Sequence, residues 1–373
     1  MSILDKKSLF VFTILCVFSL SSCAQKDYSP ISLDKKIGQM ITIGFRGLQA
    51  PPESSIAQTI KNYHIGGVVL FDYDVPADTA LRNIQSAGQV RALTQQLQSY
   101  SDTPLFITID QEGGKVSRLK EKFGFPASVS AEYLGSLNTA DSTRYYARQT
   151  AEMLANTGIN VNLAPVVDLD INPKNPVIGG LNRSFSSNPE LVLRQARIYI
   201  NEMHRHNILT TLKHFPGHGS SEDDSHKGIV DVTETWQQKE LKPYKKLIKT
   251  GKADIIMTAH IYNAHWDSTY PATLSKSVIT GLLRDSLQFK GVIMSDDLQM
   301  GAIRKYYGLE ETIKRSVQAG VDMLVFANNS VFDADVAAKA HRIIKKLVDD
   351  GELSEQRITE SYRRIMKLKK QID

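Results

Sequence analysis

The chain has 373 residues, 42% of them hydrophobic and 23% charged, and a formal net charge of +5. That is enough apolar material for one large core, and the small basic excess, with no dense lysine and arginine run interleaved with aromatics, argues against a nucleic-acid partner. The two cysteines, Cys16 and Cys23, both lie near the start, so disulfides contribute nothing to the body of the protein.

At the N-terminus, Lys6 and Lys7 precede an uncharged apolar run from Leu9 to Leu20, which ends in Leu20-Ser21-Ser22-Cys23. This is the pattern of a secretory leader, with an apolar run too short to stay in a membrane as a spanning helix. Its ending resembles the bacterial lipoprotein box, which implies cleavage before Cys23 and acylation of the Cys23 sulfur; an ordinary leader cut near Ala24 is the alternative. Residues 1–22 are therefore expected to be a signal peptide, 23–31 a lipidated cysteine and tether, and 32–373 a single folded domain. Membrane association is expected through the lipid anchor. The expected location is the cell envelope, and Ala24, which is not aspartate, favours outer-membrane sorting in a Gram-negative host.

From Ile31 onward, strand-length apolar runs alternate with amphipathic segments. The strands are expected at Met40–Phe45, Gly66–Phe71, Leu105–Asp110, Val161–Asp168, Leu209–His214, Asp254–His260, Gly291–Asp296 and Asp322–Ala327. Helices are expected at Ser142–Thr157, Pro189–His206, Trp236–Thr250, Ser275–Leu287, Glu310–Ala319 and Val331–Asp349, with Glu355–Lys370 closing the chain. Continuous apolar strands separated by helices indicate a parallel sheet covered on its outside. Eight such units predict an α/β fold, a (β/α)8 TIM barrel, over an open doubly wound sheet; no GxGxxG follows the first strand. Residues 72–88 and 168–188 read as long loops.

Polar residues gather at the C-terminal ends of these strands, where barrel enzymes build their sites. Asp110 ends the third strand with Glu112 and Arg118 close behind, Asp168 the fourth, Lys213-His214 the fifth, His260 the sixth and Asp296-Asp297 the seventh. The densest stretch is KHFPGHGSSEDDSH at 213–226, where titratable side chains sit on a glycine-containing loop just past an apolar strand. In it, Asp224 stands two residues before His226. A carboxylate there orients the ring, and an unperturbed histidine pKa of about 6.5 suits proton transfer in both directions. His226 is thus the candidate general acid/base, with Asp224 as its orienter, and Gly217 and Gly219 would let the loop swing over substrate. Asp296, held by Val292-Ile293-Met294, is the candidate for attack on an electrophilic carbon. Asp297 is its alternative, since successive strand side chains face opposite ways.

These residues lie in motifs that together resemble glycoside hydrolase family 3, specifically its β-N-acetylglucosaminidase branch, over roughly Leu33 to Lys370. The motifs are KIGQM at 36–40, IDQEGGKVSRL at 109–119, NVNLAPVVDLD at 160–170, NRSF at 182–185, KHFPGHG with the downstream DSH, and MSDDLQMGA at 294–302. The resemblance implies that Asp296 is the nucleophile of a retaining mechanism and that His226 with Asp224 is the acid/base. It implies sugar binding by Asp110, Arg118, Arg183, Lys213 and His214. Three departures stand out. Lys115 replaces the usual arginine, Ser220-Ser221 replaces Asp-Thr after GHG, and the loop beyond His226 lacks the usual proline.

The expected activity is that of a retaining β-N-acetylhexosaminidase on terminal N-acetylglucosamine, with peptidoglycan fragments as the first candidate carbohydrate partner. No cofactor or metal is expected, and the chain is expected to act as a monomer. Phosphorolysis of the same linkage and a family 3 β-glucosidase are the neighbouring enzyme readings. A metal-dependent hydrolase on His214, His218, Asp224, His226 and His260, and a non-catalytic sugar-binding lipoprotein, are the rivals from other classes.

Overall fold

The computed structural model describes residues 31–372, so the leader, Cys23 and most of the tether lie outside the described residues. Eight apolar segments form parallel strands: β1 (Ile41–Gly44), β2 (Gly67–Leu70), β3 (Phe106–Ile109), β4 (Val161–Asn162), β5 (Leu209–Phe215), β6 (Ile255–Thr258), β7 (Val292–Asp297) and β8 (Met323–Phe326). Each pairs with its chain neighbours, and β1 closes the ring, since Thr42 is in register with Gly67 on one side and Val325 on the other. The expected (β/α)8 barrel is what forms. Its strands are hydrophobic on both faces because one face fills the barrel interior and the other meets the helices.

The helix Pro189–Arg205 shows how the outer layer is specified. Asn188 caps it by accepting from the Glu190 N–H, Pro189 occupies the first turn, and Val192, Ala196, Tyr199, Ile200 and Met203 recur on the buried stripe. Among the described residues, no helix is long and apolar enough to cross a membrane.

The last helix, Glu355–Lys369, crosses the N-terminal end of the barrel. Arg357 donates to the carbonyls of Val317 and Val321, Arg364 pairs with Asp322 at 3.0 Å, and the Lys369 ammonium donates to Gln39 Oε1 at 2.7 Å and the Gly66 carbonyl at 2.8 Å. Burial pushes the Lys369 amine well below its ordinary value. Its position over the Phe106 ring joins three strand starts to one side chain.

Three expected boundaries shift, and each has a physical cause. The fourth strand pairs only over Val161–Asn162 and by an isolated bridge from Val166 to Lys213, because Pro165 has no N–H to continue a ladder. The helix expected from Trp236 begins as α-helix at Leu241. Before it, Gln237 and Glu240 form a reciprocal cap, and the Trp236 indole donates to the Pro216 carbonyl. The helix expected from Val331 starts at Val336, since Asn328 binds Gly44 and Asp333 and holds the preceding loop against β1.

Candidate active site

A cavity of about 350 Å³ lies at the C-terminal end of the strands, and Asp110, Arg118, Arg183, Lys213, His214, His226 and Asp296 all line it. Asp224 stands behind His226. The predicted groups therefore converge, although Asp296 and His226 lie seventy positions apart in the chain.

Asp296 leaves the end of β7 with its Oδ1 accepting the N–H of Asp297 at 2.7 Å. Burial acts to raise its pKa, but the positive field of His260, His214 and His226 and that N–H prevail, so the carboxyl is held below its ordinary value and is ionised. His260 is itself pushed down by burial and is neutral near pH 7, whereas the bond from the Asp297 N–H does not depend on protonation. Asp297 differs. Its Oδ1 accepts from the N–H groups of Gln299 at 3.1 Å and Ala327 at 3.0 Å, and burial raises it to about 6. Of the two aspartates, Asp296 is the one free to act as an anion at the cavity wall.

His226 is exposed at 57% of its side chain, and its Nδ1 meets Asp224 Oδ1 at 2.8 Å. The same oxygen accepts the His226 backbone N–H at 2.9 Å, so ring and backbone are gripped together. Burial acts to raise the Asp224 pKa, but the His226 N–H and ring outweigh it and hold the carboxyl below its ordinary value. With Nδ1–H committed to Asp224, Nε2 is the nitrogen left to exchange a proton.

The sugar-binding candidates form one charged lattice. Lys213, only 3% exposed, contacts Asp110 and Glu112 at 2.7 Å each, and Arg183 grips Glu112 with two bonds of 2.7 Å. Arg118 lies 3.3 Å from Asp110 and 3.9 Å from Asp72. Arg183 Nη2 also donates to His214 Nε2 at 3.2 Å, which leaves His214 Nδ1 to carry the proton it gives Asp168 at 2.7 Å. Burial acts to raise Asp110, yet Lys213 and Arg118 hold it well below the usual carboxylate range. The result is a wall of fixed donors and acceptors whose charges nearly cancel, suited to a neutral polyhydroxy ligand.

Glu112 and Asp168, which the sequence places at the rim without a role, act in this lattice. Glu112 follows Asp110 by two positions; its partners, 71 and 101 positions away, are what give it a role. His260, expected at the rim, stands behind it and donates to the Asp297 carbonyl at 2.9 Å. His218 is buried, with Nδ1 and Nε2 on the hydroxyls of Ser221 and Ser225, and burial pushes it down to about 4. Among the described residues, no group of three His, Cys, Asp or Glu side chains is placed to hold a metal ion. The ligand set of a metal-dependent hydrolase is therefore not assembled there.

Gly219 is required for a reason other than the expected hinge. A Cβ on Gly219 would lie 1.7 Å from the Leu169 carbonyl oxygen, so glycine is required there for close packing. Beneath it, Glu240 accepts from the Gly219 N–H at 3.1 Å and is raised by burial to about 7. A carboxyl raised in the folded state binds more protons folded than unfolded between about pH 4.5 and 7, so its contribution to stability falls as pH rises through that window. The Glu240→Gln variant is expected to gain on the wild type by a few kcal/mol (~3 at most) from pH 4.5 to 7. Urea unfolding at several pH values reads that difference, and parallel pH curves for the two proteins would refute it.

Lys115, at the departure from arginine, donates to the Gly180 carbonyl at 2.9 Å across the cavity edge. Ser221 is the partner of His218.

The description "Glycosyl hydrolase family 3 N terminal domain" belongs to the family model that matches residues 32–368. Beta-hexosaminidase A of Pseudoalteromonas piscicida is 31% identical over 398 residues, covering 94% of this chain and 63% of that protein. Beta-hexosaminidase LpqI of Mycobacterium tuberculosis is 31% identical over 360 residues, covering 93% of this chain and 86% of that protein. Among solved structures, a glycoside hydrolase family 3 beta-N-acetylglucosaminidase from Paenibacillus sp. superposes with a TM-score of 0.84 at 34% identity, over 92% of this chain and 63% of the other. The chain thus spans less than two thirds of the first and third of these proteins.

Proposed function

The chain belongs to glycosyl hydrolase family 3, and on that premise we propose that it is a retaining β-N-acetylhexosaminidase that removes terminal β-linked N-acetylglucosamine. The observation that carries this reading is the single cavity that brings an ionised Asp296 and the His226–Asp224 pair to one set of sugar-sized walls. In the first step Asp296 Oδ attacks the anomeric carbon, and His226 Nε2–H protonates the departing glycosidic oxygen. In the second, neutral His226 takes a proton from water, which displaces Asp296 from the sugar and restores the β-configuration. The acid/base is an imidazole, so the site does not follow the two-carboxylate spacing rule of most glycosidases. Asp110, Arg118, Arg183, Lys213 and His214 would bind hydroxyls without needing to be neutralised, since each already has its counter-charge or partner.

An envelope lipoprotein, anchored through Cys23 with residues 1–22 removed, would meet N-acetylglucosamine chiefly on peptidoglycan fragments, and these are the proposed substrates. The test is turnover of an aryl β-N-acetylglucosaminide followed by NMR of the first-formed sugar. The β-anomer is expected, with the matching β-glucoside cleaved poorly. An α-anomer would sink the retaining mechanism, and sugar 1-phosphate as the main product in phosphate buffer would make the enzyme a phosphorylase.

A further inference from the structure

The loop that carries His226 is held by the segment that follows the Asp296 strand. Three successive carbonyls, those of Ser225, His226 and Lys227, accept respectively from the Ala302 N–H at 3.1 Å, the Gly301 N–H at 3.2 Å and the Lys305 ammonium at 2.6 Å. Gly301 and Ala302 open a four-residue helix, Gly301–Arg304, whose first amides have no partner within the helix itself. The loop carbonyls supply those partners. A Cβ on Gly301 would stand 2.5 Å from the His226 carbonyl oxygen and 3.0 Å from Lys227 backbone atoms, so the two backbones can approach this closely only at glycine. Gly301 lies five positions after Asp296 in the chain.

We propose that Gly301–Lys305 is a positioning element that sets the His226 ring against Asp296, so that one short stretch of chain fixes the separation of the two reacting groups. The inference rests on the acid/base assignment of His226 made above. The Asp224 contact fixes the ring relative to its own loop, whereas the three carbonyl bonds fix that loop relative to the β7 end. Gly301 and Lys305 touch neither the sugar nor the transferred proton; they act through the place of His226. Displacing the loop should therefore weaken proton donation to the departing oxygen and leave Asp296 and the sugar lattice in place.

The test compares kcat/KM on a phenyl and a dinitrophenyl β-N-acetylglucosaminide for the wild type, Gly301→Ala, Lys305→Met, Lys305→Arg and His226→Ala. A phenolate needs the proton as it departs, and a dinitrophenolate does not. Gly301→Ala is expected to lose about 10- to 100-fold on the phenyl substrate and less than about threefold on the dinitrophenyl one. Lys305→Met, an exposed change that does not threaten folding, should show the same pattern at about three- to tenfold, and Lys305→Arg should restore the wild-type ratio. The positioning role is overturned if His226→Ala shows the selective loss while Gly301→Ala and Lys305→Met lose equally on both substrates or lose nothing. Equal loss on both substrates by His226→Ala itself would instead remove the acid/base assignment, and this inference with it.

Discussion

Replacing Asp296 by asparagine should lower turnover of an aryl β-N-acetylglucosaminide by about 10⁴-fold or more, equivalent to ~5 kcal/mol of transition-state stabilisation, while the protein stays folded. Asparagine preserves the shape of the side chain and can still accept the Asp297 N–H at the position where Asp296 Oδ1 now lies, 2.7 Å away. What it cannot do is form the ester to the anomeric carbon. The neighbouring Asp297, already committed to the Gln299 and Ala327 amides and raised to about 6, is poorly placed to substitute. Steady-state rates with unchanged circular dichroism and melting would establish the point. A wild type that binds N-acetylglucosaminides without turning them over at high enzyme concentration would replace this account with that of a sugar-binding lipoprotein.

The second large effect is on stability, at the opposite end of the barrel. Asp322 is fully buried just before β8 and is surrounded by Arg284 at 2.5 Å, Arg364 at 3.0 Å and Arg357 at 3.5 Å. It also accepts from the Ser361 hydroxyl at 2.8 Å and the Ile293 N–H at 3.0 Å. One carboxylate therefore joins β7, β8, the helix Ser277–Ser286 and the final helix. The Arg284 side chain is itself largely shielded from water, and that burial pushes it down to about 10. Asp322→Ala leaves three cations around an empty site. It is expected to cost about 3–5 kcal/mol, with a thermal midpoint lower by roughly five degrees. The additional substitution Arg284→Met should recover part of the loss, since it removes an uncompensated charge. A single Asp322→Ala change that leaves the midpoint within a degree or two would mean that the arginines find other partners.

The barrel was legible in the sequence because its strands are apolar on both faces and alternate with helices, a pattern that few architectures share. The candidate site was legible, as a gathering of residues round one cavity, where they sit at strand ends, as Asp110, Lys213, His214 and Asp296 do, or in a local pair, as Asp224 and His226 do. Glu112 was visible at the rim but its role was not, since that comes from Arg183 and Lys213, which reach it only in the folded chain. Gly219 was read as a hinge from residue type alone. The reason for the glycine is the Leu169 carbonyl pressed against it, a contact between distant stretches that no local pattern announces. The same holds for Gly301 and the His226 loop.

The helix that crosses the barrel floor also governs when the domain can be completed. Lys369 bonds to Gln39 and to Gly66, beside the first two strands and 330 and 303 positions earlier in the chain. A polypeptide still emerging from the ribosome keeps the starts of β1 and β2 unsealed until Glu355–Lys369 has been synthesised. On the export proposed above, this seal between the first strands and the final helix would hold back closure of the barrel in a chain that still has to cross a membrane unfolded.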